Sequence, residues 1–380
     1  MIEWTALVFA AVATLVHIVS ALMSLRRVRR ASSAPVSLGV HPPVTILRPV
    51  CGLDPFDELT LRSTFELAHP RVELLFCSAR ERDAAVPLVR KLIAAYPHID
   101  ARLLIGDDKS TPNPKLNNII KGWQQAKHDW IVIADSNVLM PRDYVSRLFA
   151  AMRSDTGLVC SPPIGSRPSG FWAEVECAFL NTYQARWQLA ADTIGFGFAQ
   201  GKSMLWRKDL LDGAGGIRAL GVEIAEDAAA TKVVRAEGLR VRLVDAPFEQ
   251  PLGARNRPQV LDRQIRWARL RRATFPLCYA PELLSGSVPP LVAAAIAAPI
   301  LDLDGLSAAA LLAVIWFGTE ALLARRAGWH CSLISPVAWL VRDLALPFVW
   351  LKGWTGDGFT WRGNDMTVAE PSAATAQTRV

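Results

Sequence analysis

The chain has 380 residues, enough for two or three structural units and a sizeable core. Hydrophobic residues make up 51% against 20% charged, and the mean hydropathy is +0.21, which excludes a disordered chain and points to membrane contact. Six cysteines without a CxxC pair or a His-spaced cluster argue against a disulfide framework or a structural zinc site and fit a reducing compartment, while the net charge of +7 leaves nucleic acid, anionic lipid or a polyanionic small substrate as partners.

Trp4 to Leu25 carries no Lys, Arg, Asp or Glu over 22 residues, and roughly 20 apolar residues suffice to cross a bilayer as a helix. Arg26, Arg27, Arg29 and Arg30 come after this run instead of preceding it. That is the reverse of a secretory signal peptide and, by the positive-inside rule, predicts a signal anchor with the N-terminus outside and the next part of the chain in the cytoplasm. A Pro/Ser/Gly linker at 31–43 comes next. Short β-rich runs then appear at 44–47, 72–76, 101–105 and 130–135, separated by helical stretches near 57–67, 84–95 and 115–126. Repeated β–α–β predicts an α/β fold with a parallel sheet, whose ligands bind beyond the carboxyl ends of the strands, where Asp135 and Asn137 stand.

From about Val288 the chain is apolar again, at 287–301, 305–324 and 332–351. These runs predict two or three membrane segments, the first short enough to be re-entrant or tilted. Arg342 and Asp343 lie inside the third run, where they should pair or reach an interface. The last dozen residues read as a frayed tail.

Three carboxylates stand where the α/β pattern turns to loop: Asp83, Asp135 in IADSN and Asp227 in VEIAEDAAA. Singly each is a weak signal. Their joint order, with NPKLNN at 113–118 and RQIRW at 263–267, resembles the inverting nucleotide-sugar glycosyltransferases of GT-A fold, most closely the ceramide glucosyltransferase family. That family's pattern is three spaced Asp residues followed by (Q/R)xxRW, and the likeness covers about residues 44 to 280. It implies a Rossmann-like, mostly parallel catalytic domain flanked by transmembrane helices. The implied organisation is an anchor (1–30), the linker (31–43), the catalytic domain (44–253), an interfacial region with RxxRW (254–286), membrane segments (287–353) and a tail (354–380).

The resemblance assigns Asp83 to the uridine of a UDP-sugar and Asp135 to Mg²⁺ or Mn²⁺ at the diphosphate, with modest affinity because the turn reads Asp-Ser-Asn instead of Asp-x-Asp. Lys115 would add charge near the diphosphate, or be a solvated residue of a first helical turn. Asp227 resembles the base that removes the acceptor's proton, with the adjacent Glu226 as competitor. Arg266 would stabilise the leaving diphosphate beside Arg263 and Trp267, since a guanidinium binds phosphate bidentately. The stretch 195–209 reads as a loop walling the acceptor site, with Gln200 as a contact and Trp206 as a contact or a packing residue. Tyr183-Gln184 departs from the eukaryotic enzymes, which carry a His there.

Arg255, Arg257, Arg263, Arg266, Arg269, Arg271 and Arg272 alternate with Leu261, Ile265 and Ala268, which predicts an interfacial helix on an anionic membrane surface. No nucleic-acid-binding motif accompanies these charges, so nucleic acid is excluded as a partner. The expected protein is a multi-pass enzyme of the cell inner membrane with its catalytic domain facing the cytoplasm. It would move a hexose from UDP-glucose or UDP-galactose to a lipid hydroxyl, diacylglycerol slightly ahead of ceramide, with repeated addition a further outcome. Hopanoid transfer, a polysaccharide synthase and a nucleotide-binding scaffold or transporter are the alternatives.

Overall fold

The computed structural model describes residues 1–33, 41–361 and 363–368. Most of the expected linker and the whole of the expected frayed tail, 369–380, fall outside the described residues. Contacts divide the chain into two units: an α/β unit of residues 31–163, 191–251 and 357–380, and a helical unit of residues 1–30, 164–190 and 252–356. Residues 164–190, expected inside the catalytic domain, therefore group with the apolar helices.

In the α/β unit, β1 (Val44–Val50), β2 (Val72–Ser78), β3 (Asp100–Ile105) and β4 (Trp130–Ala134) are the four expected runs. With β5 (Thr156–Cys160), β6 (Ser203–Arg207) and β7 (Arg240–Leu243) they form a seven-stranded sheet in the order β3-β2-β1-β4-β6-β5-β7. Pairing is parallel except for β6, which runs antiparallel to both β4 and β5. The expected mostly parallel α/β sheet is thus present. β1, β4 and β5 are apolar runs buried almost throughout, as strands covered on both faces must be. The intervening helices Asp57–Phe65, Ala85–Ala95 and Pro114–Gln125 lie where expected. Ala85, Val86, Val89 and Leu92 form the buried stripe of the second, because a 3.6-residue period brings them to one side.

The expectation of a loop over 195–209 is corrected here. Ser203–Arg207 is β6, inserted between β4 and β5, and Trp206 is fully buried in it. Trp206 is accordingly a packing residue. The register Ala134↔Ser203 brings residues 200–202 to the end of the sheet where β4 delivers Asp135.

The helical unit opens with Ile2–Ser33, which continues through the start of the expected linker and has a mean hydropathy of 2.3 over its apolar stretch. Gly305–Ala327 is the second helix long and apolar enough to cross a membrane, and Pro276–Leu284 with Val288–Leu301 forms a pair bent by 46° that could count as a third, broken span. His17 stacks on Trp316 at 3.8 Å between ring centroids. The expectation that Arg342 and Asp343 pair is met: Arg342 lies 2.7 Å from Asp343 and 2.8 Å from Glu320, and all three are buried. Thr182 donates to Glu320 at 2.6 Å, and the Ser287 N–H donates to Asp343 at 3.0 Å, so each buried carboxylate has the guanidinium and a further hydrogen-bond donor.

Candidate active site

The site in the α/β unit begins with the start of Pro114–Gln125. Asn113 caps this helix by accepting the Leu116 N–H at 3.1 Å, and Pro114 takes the first helical position, where no N–H is needed. Lys115 comes next, a cation at the positive end of a helix dipole and only 9% exposed. Two carboxylates make that position tenable. Its ammonium lies 2.6 Å from Asp135 Oδ1 and 2.6 Å from Glu226 Oε1, and donates to the Gly201 carbonyl at 2.8 Å. Burial works against the charged form, yet Asp135 and Glu226 outweigh it and hold the Lys115 pKa above the ordinary lysine range. Lys115 is therefore a buried site residue, not a solvated one.

Asp135 stands directly after β4. Its N–H donates to the Lys202 carbonyl at 3.1 Å, continuing the β4–β6 ladder, and Lys202 Nζ reaches Asp135 Oδ2 at 2.7 Å and Asn137 Oδ1 at 3.2 Å. Burial raises the Asp135 pKa, but Lys115 and Lys202 prevail and hold the carboxyl well below the usual range. The turn is also gripped through its backbone. Arg48, buried in β1, and Thr60 donate to the Ser136 carbonyl at 2.8 and 2.6 Å.

Asp227 and Glu226 open the helix Glu226–Ala236, where carboxylates suit the helix dipole. Glu226 is committed to Lys115 and to Asn113, whose Nδ2 donates to Oε2 at 2.8 Å. Asp227 is half-buried and accepts the Gly201 N–H at 3.1 Å on Oδ2 and the Ala228 N–H at 2.9 Å on Oδ1. Burial and the neighbouring Glu226 charge raise its pKa to about 6. Each oxygen keeps a lone pair for a further donor. Gly201 leaves room for both carboxylates: a methyl there would lie 2.9 Å from Glu226 Oε1 and 3.5 Å from Asp227 Oδ2.

Asp135, Lys115 and Asp227 thus meet through the Gly201-Lys202 backbone. Asp83 does not join them by any hydrogen bond or ion pair among the described residues. It sits in the loop after β2 and accepts the Gly52 N–H at 2.9 and 3.1 Å and the Ala85 N–H at 2.9 Å, tying the end of β1 to a helix start. Gly52, at φ 67°, supplies the left-handed backbone of that loop. Gln200 is half-buried beside Gly201. Lys202, Asn113 and Arg48 were not expected from sequence. An N-P-K helix start with a buried lysine was the available signal for Asn113, whereas Lys202 becomes visible only once β6 is known.

Arg263, Arg266 and Trp267 lie in the helical unit on Arg257–Thr274, whose Asn256 and Gln259 form a reciprocal capping box. Arg263 pairs with the buried Glu176, which Arg255 also approaches at 3.3 Å. Trp267 packs against Cys177, Leu180 and Leu252, with the Arg263 guanidinium 5.3 Å from its ring. Arg271 grips Glu282 through two 2.8 Å bonds, and Arg269 reaches the Thr355 carbonyl at 3.1 Å. The buried positions of this helix are Val260, Gln264 and Ala268, so of the apolar side Leu261, Ile265 and Ala268 the last is buried and the other two are half-buried, and polar Gln264 pairs with Gln184 at 2.9 Å. Arg266 is half-buried.

Oxygen donors for a divalent ion are few. No group of three His, Cys, Asp or Glu side chains suited to a metal occurs among the described residues. Asp135 and Asn137 fit one only together with donors from a substrate, since such ions take six or more oxygens.

The sequence profile of glycosyl transferase family 21 matches residues 8–374. The chain belongs to this family. Its relatives include ceramide glucosyltransferase 3 of Caenorhabditis elegans, 29% identical over 92% of this chain and 77% of that protein. The ceramide glucosyltransferase of Komagataella phaffii is 43% identical over a shorter stretch, 29% of this chain and 22% of that protein. Among solved structures, the mannosyltransferase PcManGT of Pyrobaculum calidifontis, in complex with GDP-Man and Mn²⁺, aligns over 93% of this chain and 98% of its own at 18% identity and a TM-score of 0.45. The glucosyl-3-phosphoglycerate synthase of Mycobacterium tuberculosis, in complex with Mn²⁺, UDP and glucosyl-3-phosphoglycerate, aligns over 65% of this chain and 84% of its own at 16% identity and a TM-score of 0.36. As a family 21 member the chain is a glycosyltransferase, with two helices among the described residues long and apolar enough to cross a membrane.

Proposed function

We propose that this family 21 member transfers a hexose from UDP-glucose or UDP-galactose to the primary hydroxyl of a two-chain membrane lipid, with inversion at the anomeric carbon. The observation that carries the reading is the unequal state of two adjacent carboxylates. Glu226 is consumed by Lys115 and Asn113, whereas Asp227 keeps open lone pairs and a pKa raised to about 6. A base with a pKa close to the working pH is ionised yet holds a proton well. In the proposed step Asp227 takes the acceptor's hydroxyl proton as that oxygen bonds to the anomeric carbon. The bond from that carbon to the diphosphate breaks, and UDP departs with its electron pair.

Lys115 is proposed to lend positive charge at the diphosphate, and Asp135 with Asn137 to hold Mg²⁺ or Mn²⁺, which when bound neutralises phosphate charge. Arg266 carries the leaving-group role on its motif, with Arg263 and Trp267 holding its helix to Glu176 and to the Cys177 cluster. Asp83 is assigned to uridine and Gln200 to the acceptor side. A lipid acceptor is supported by the apolar helices of the other unit and by relatives named for ceramide. Those relatives favour ceramide over diacylglycerol, which offers the same primary hydroxyl. Arg26, Arg27, Arg29 and Arg30, after the first apolar run, support a cytoplasmic catalytic unit at an inner membrane.

The test is to incubate the full chain in lipid nanodiscs with UDP-glucose or UDP-galactose and either ceramide or diacylglycerol, and to analyse the extracted lipid by mass spectrometry. A hexosyl lipid in one arm is expected. Hydrolysis of the donor without any glycolipid in all four arms contradicts the proposal.

A further inference from the structure

Lys202 has no part in the proposed transfer except through its contacts with Asp135 and Asn137, and those contacts differ in kind from those of Lys115. All three ammonium hydrogens of Lys115 are matched, by Asp135, Glu226 and the Gly201 carbonyl, at 2.6, 2.6 and 2.8 Å, and its side chain is 8% exposed. Lys202 has two acceptors among the described residues, Asp135 Oδ2 and Asn137 Oδ1, and its side chain is 12% exposed. Its backbone is fixed by the ladder bond from the Asp135 N–H, but among the described residues the ammonium at the end of its four-carbon stem is held by the two oxygens proposed for a metal.

The balance of charge decides which lysine can move. Lys115 and Lys202 face Asp135, Glu226 and Asp227, so with all five ionised the cluster has one excess negative charge. A diphosphate brought to it needs added positive charge, yet both oxygens of Asp135 are already taken by ammonium groups. Lys115 cannot leave without stranding Glu226 as a buried, unpaired carboxylate. Lys202 can.

We infer that Lys202 is an exchangeable internal counter-ion: it occupies the Asp135–Asn137 oxygens in the empty enzyme and transfers to the donor's diphosphate when a divalent cation takes those oxygens. Its function is positioning and selection. It suppresses binding of metal alone and couples metal binding to arrival of the nucleotide. The inference rests on the proposed metal role of Asp135, and the experiment separates the two.

Mn²⁺ binding to the full chain in detergent is measured by electron paramagnetic resonance of the free ion, first without nucleotide and then with saturating UDP, for the wild type, Lys202→Gln, Lys202→Arg and Asp135→Asn. Removing the competing charge in Lys202→Gln is expected to tighten Mn²⁺ binding without nucleotide by about tenfold, the order of one modest ion pair. UDP binding in saturating Mn²⁺ is expected to weaken by a similar factor. Lys202→Arg should restore wild-type behaviour in both. Equal Mn²⁺ affinity in wild type and Lys202→Gln, with binding abolished in Asp135→Asn, overturns the counter-ion role and leaves the metal site standing. Mn²⁺ binding that survives Asp135→Asn, or is undetectable in every variant even with UDP, removes the metal site and the inference with it.

Discussion

Adjacent in sequence, Glu226 and Asp227 differ in their chemistry because the fold gives them different neighbours. A buried ammonium pairs with Glu226, whereas Asp227 accepts backbone N–H groups, and burial together with the neighbouring Glu226 raises its affinity for a proton. The expected consequence is a pH dependence of kcat/KM. The base works only when ionised, so the rate should fall as pH drops through about 6 and level off above it. A profile measured from pH 5 to 8 that stays flat through this window contradicts the assignment. The sequence pattern reached Asp135 and Asp227 because each lies in a motif with a strand or helix start beside it. It left Glu226 and Lys115 unresolved because their roles depend on a contact between residues 111 positions apart. It gave no sign of Lys202, whose position opposite Asp135 is a matter of strand register.

Among the elements, β6 decides the site. SMLWR holds only a three-residue apolar stretch, Met204 to Trp206, with a glycine two positions before the segment and charged residues after it, so its local pattern suits a loop edge or a buried strand equally. Only its insertion between β4 and β5, antiparallel to both, turns residues 200–202 into the floor under two carboxylates. The parallel strands were legible because repeated apolar runs alternating with helical periodicity have few other solutions. Gly201→Ala tests the floor. The methyl would stand 2.9 Å from Glu226 Oε1, too close to be accommodated without a shift of that carboxylate or of the strand end. Turnover should drop by about tenfold or more, because small misplacements of catalytic groups are costly, while the thermal unfolding temperature changes little. Wild-type turnover in this variant contradicts the account of the floor.

For the molecule as a whole, hydropathy located the apolar helices but not the grouping of residues 164–190 with them. That stretch carries Glu174, Glu176 and Arg186 among its apolar residues and reads locally as part of an α/β domain. Its partners are in the distant C-terminal helices, as with Thr182 at Glu320 and Arg342. Arg342→Met should destabilise the chain by about 3–5 kcal/mol by leaving Glu320 and Asp343 buried without their cation, and the triple variant Arg342→Met/Glu320→Gln/Asp343→Asn should recover part of that loss. Thermal unfolding in detergent measures both, and a single variant as stable as the wild type contradicts the network's role. At this scale the α/β unit is proposed to transfer sugar from a nucleotide to lipid through Asp227. The most direct measurement compares wild type and Asp227→Asn for hexosyl lipid formed per minute and for UDP affinity in the same nanodiscs. Product formation is predicted to fall by about 10²–10⁴ while UDP affinity stays within a few-fold. Undiminished glycolipid synthesis by Asp227→Asn would contradict it.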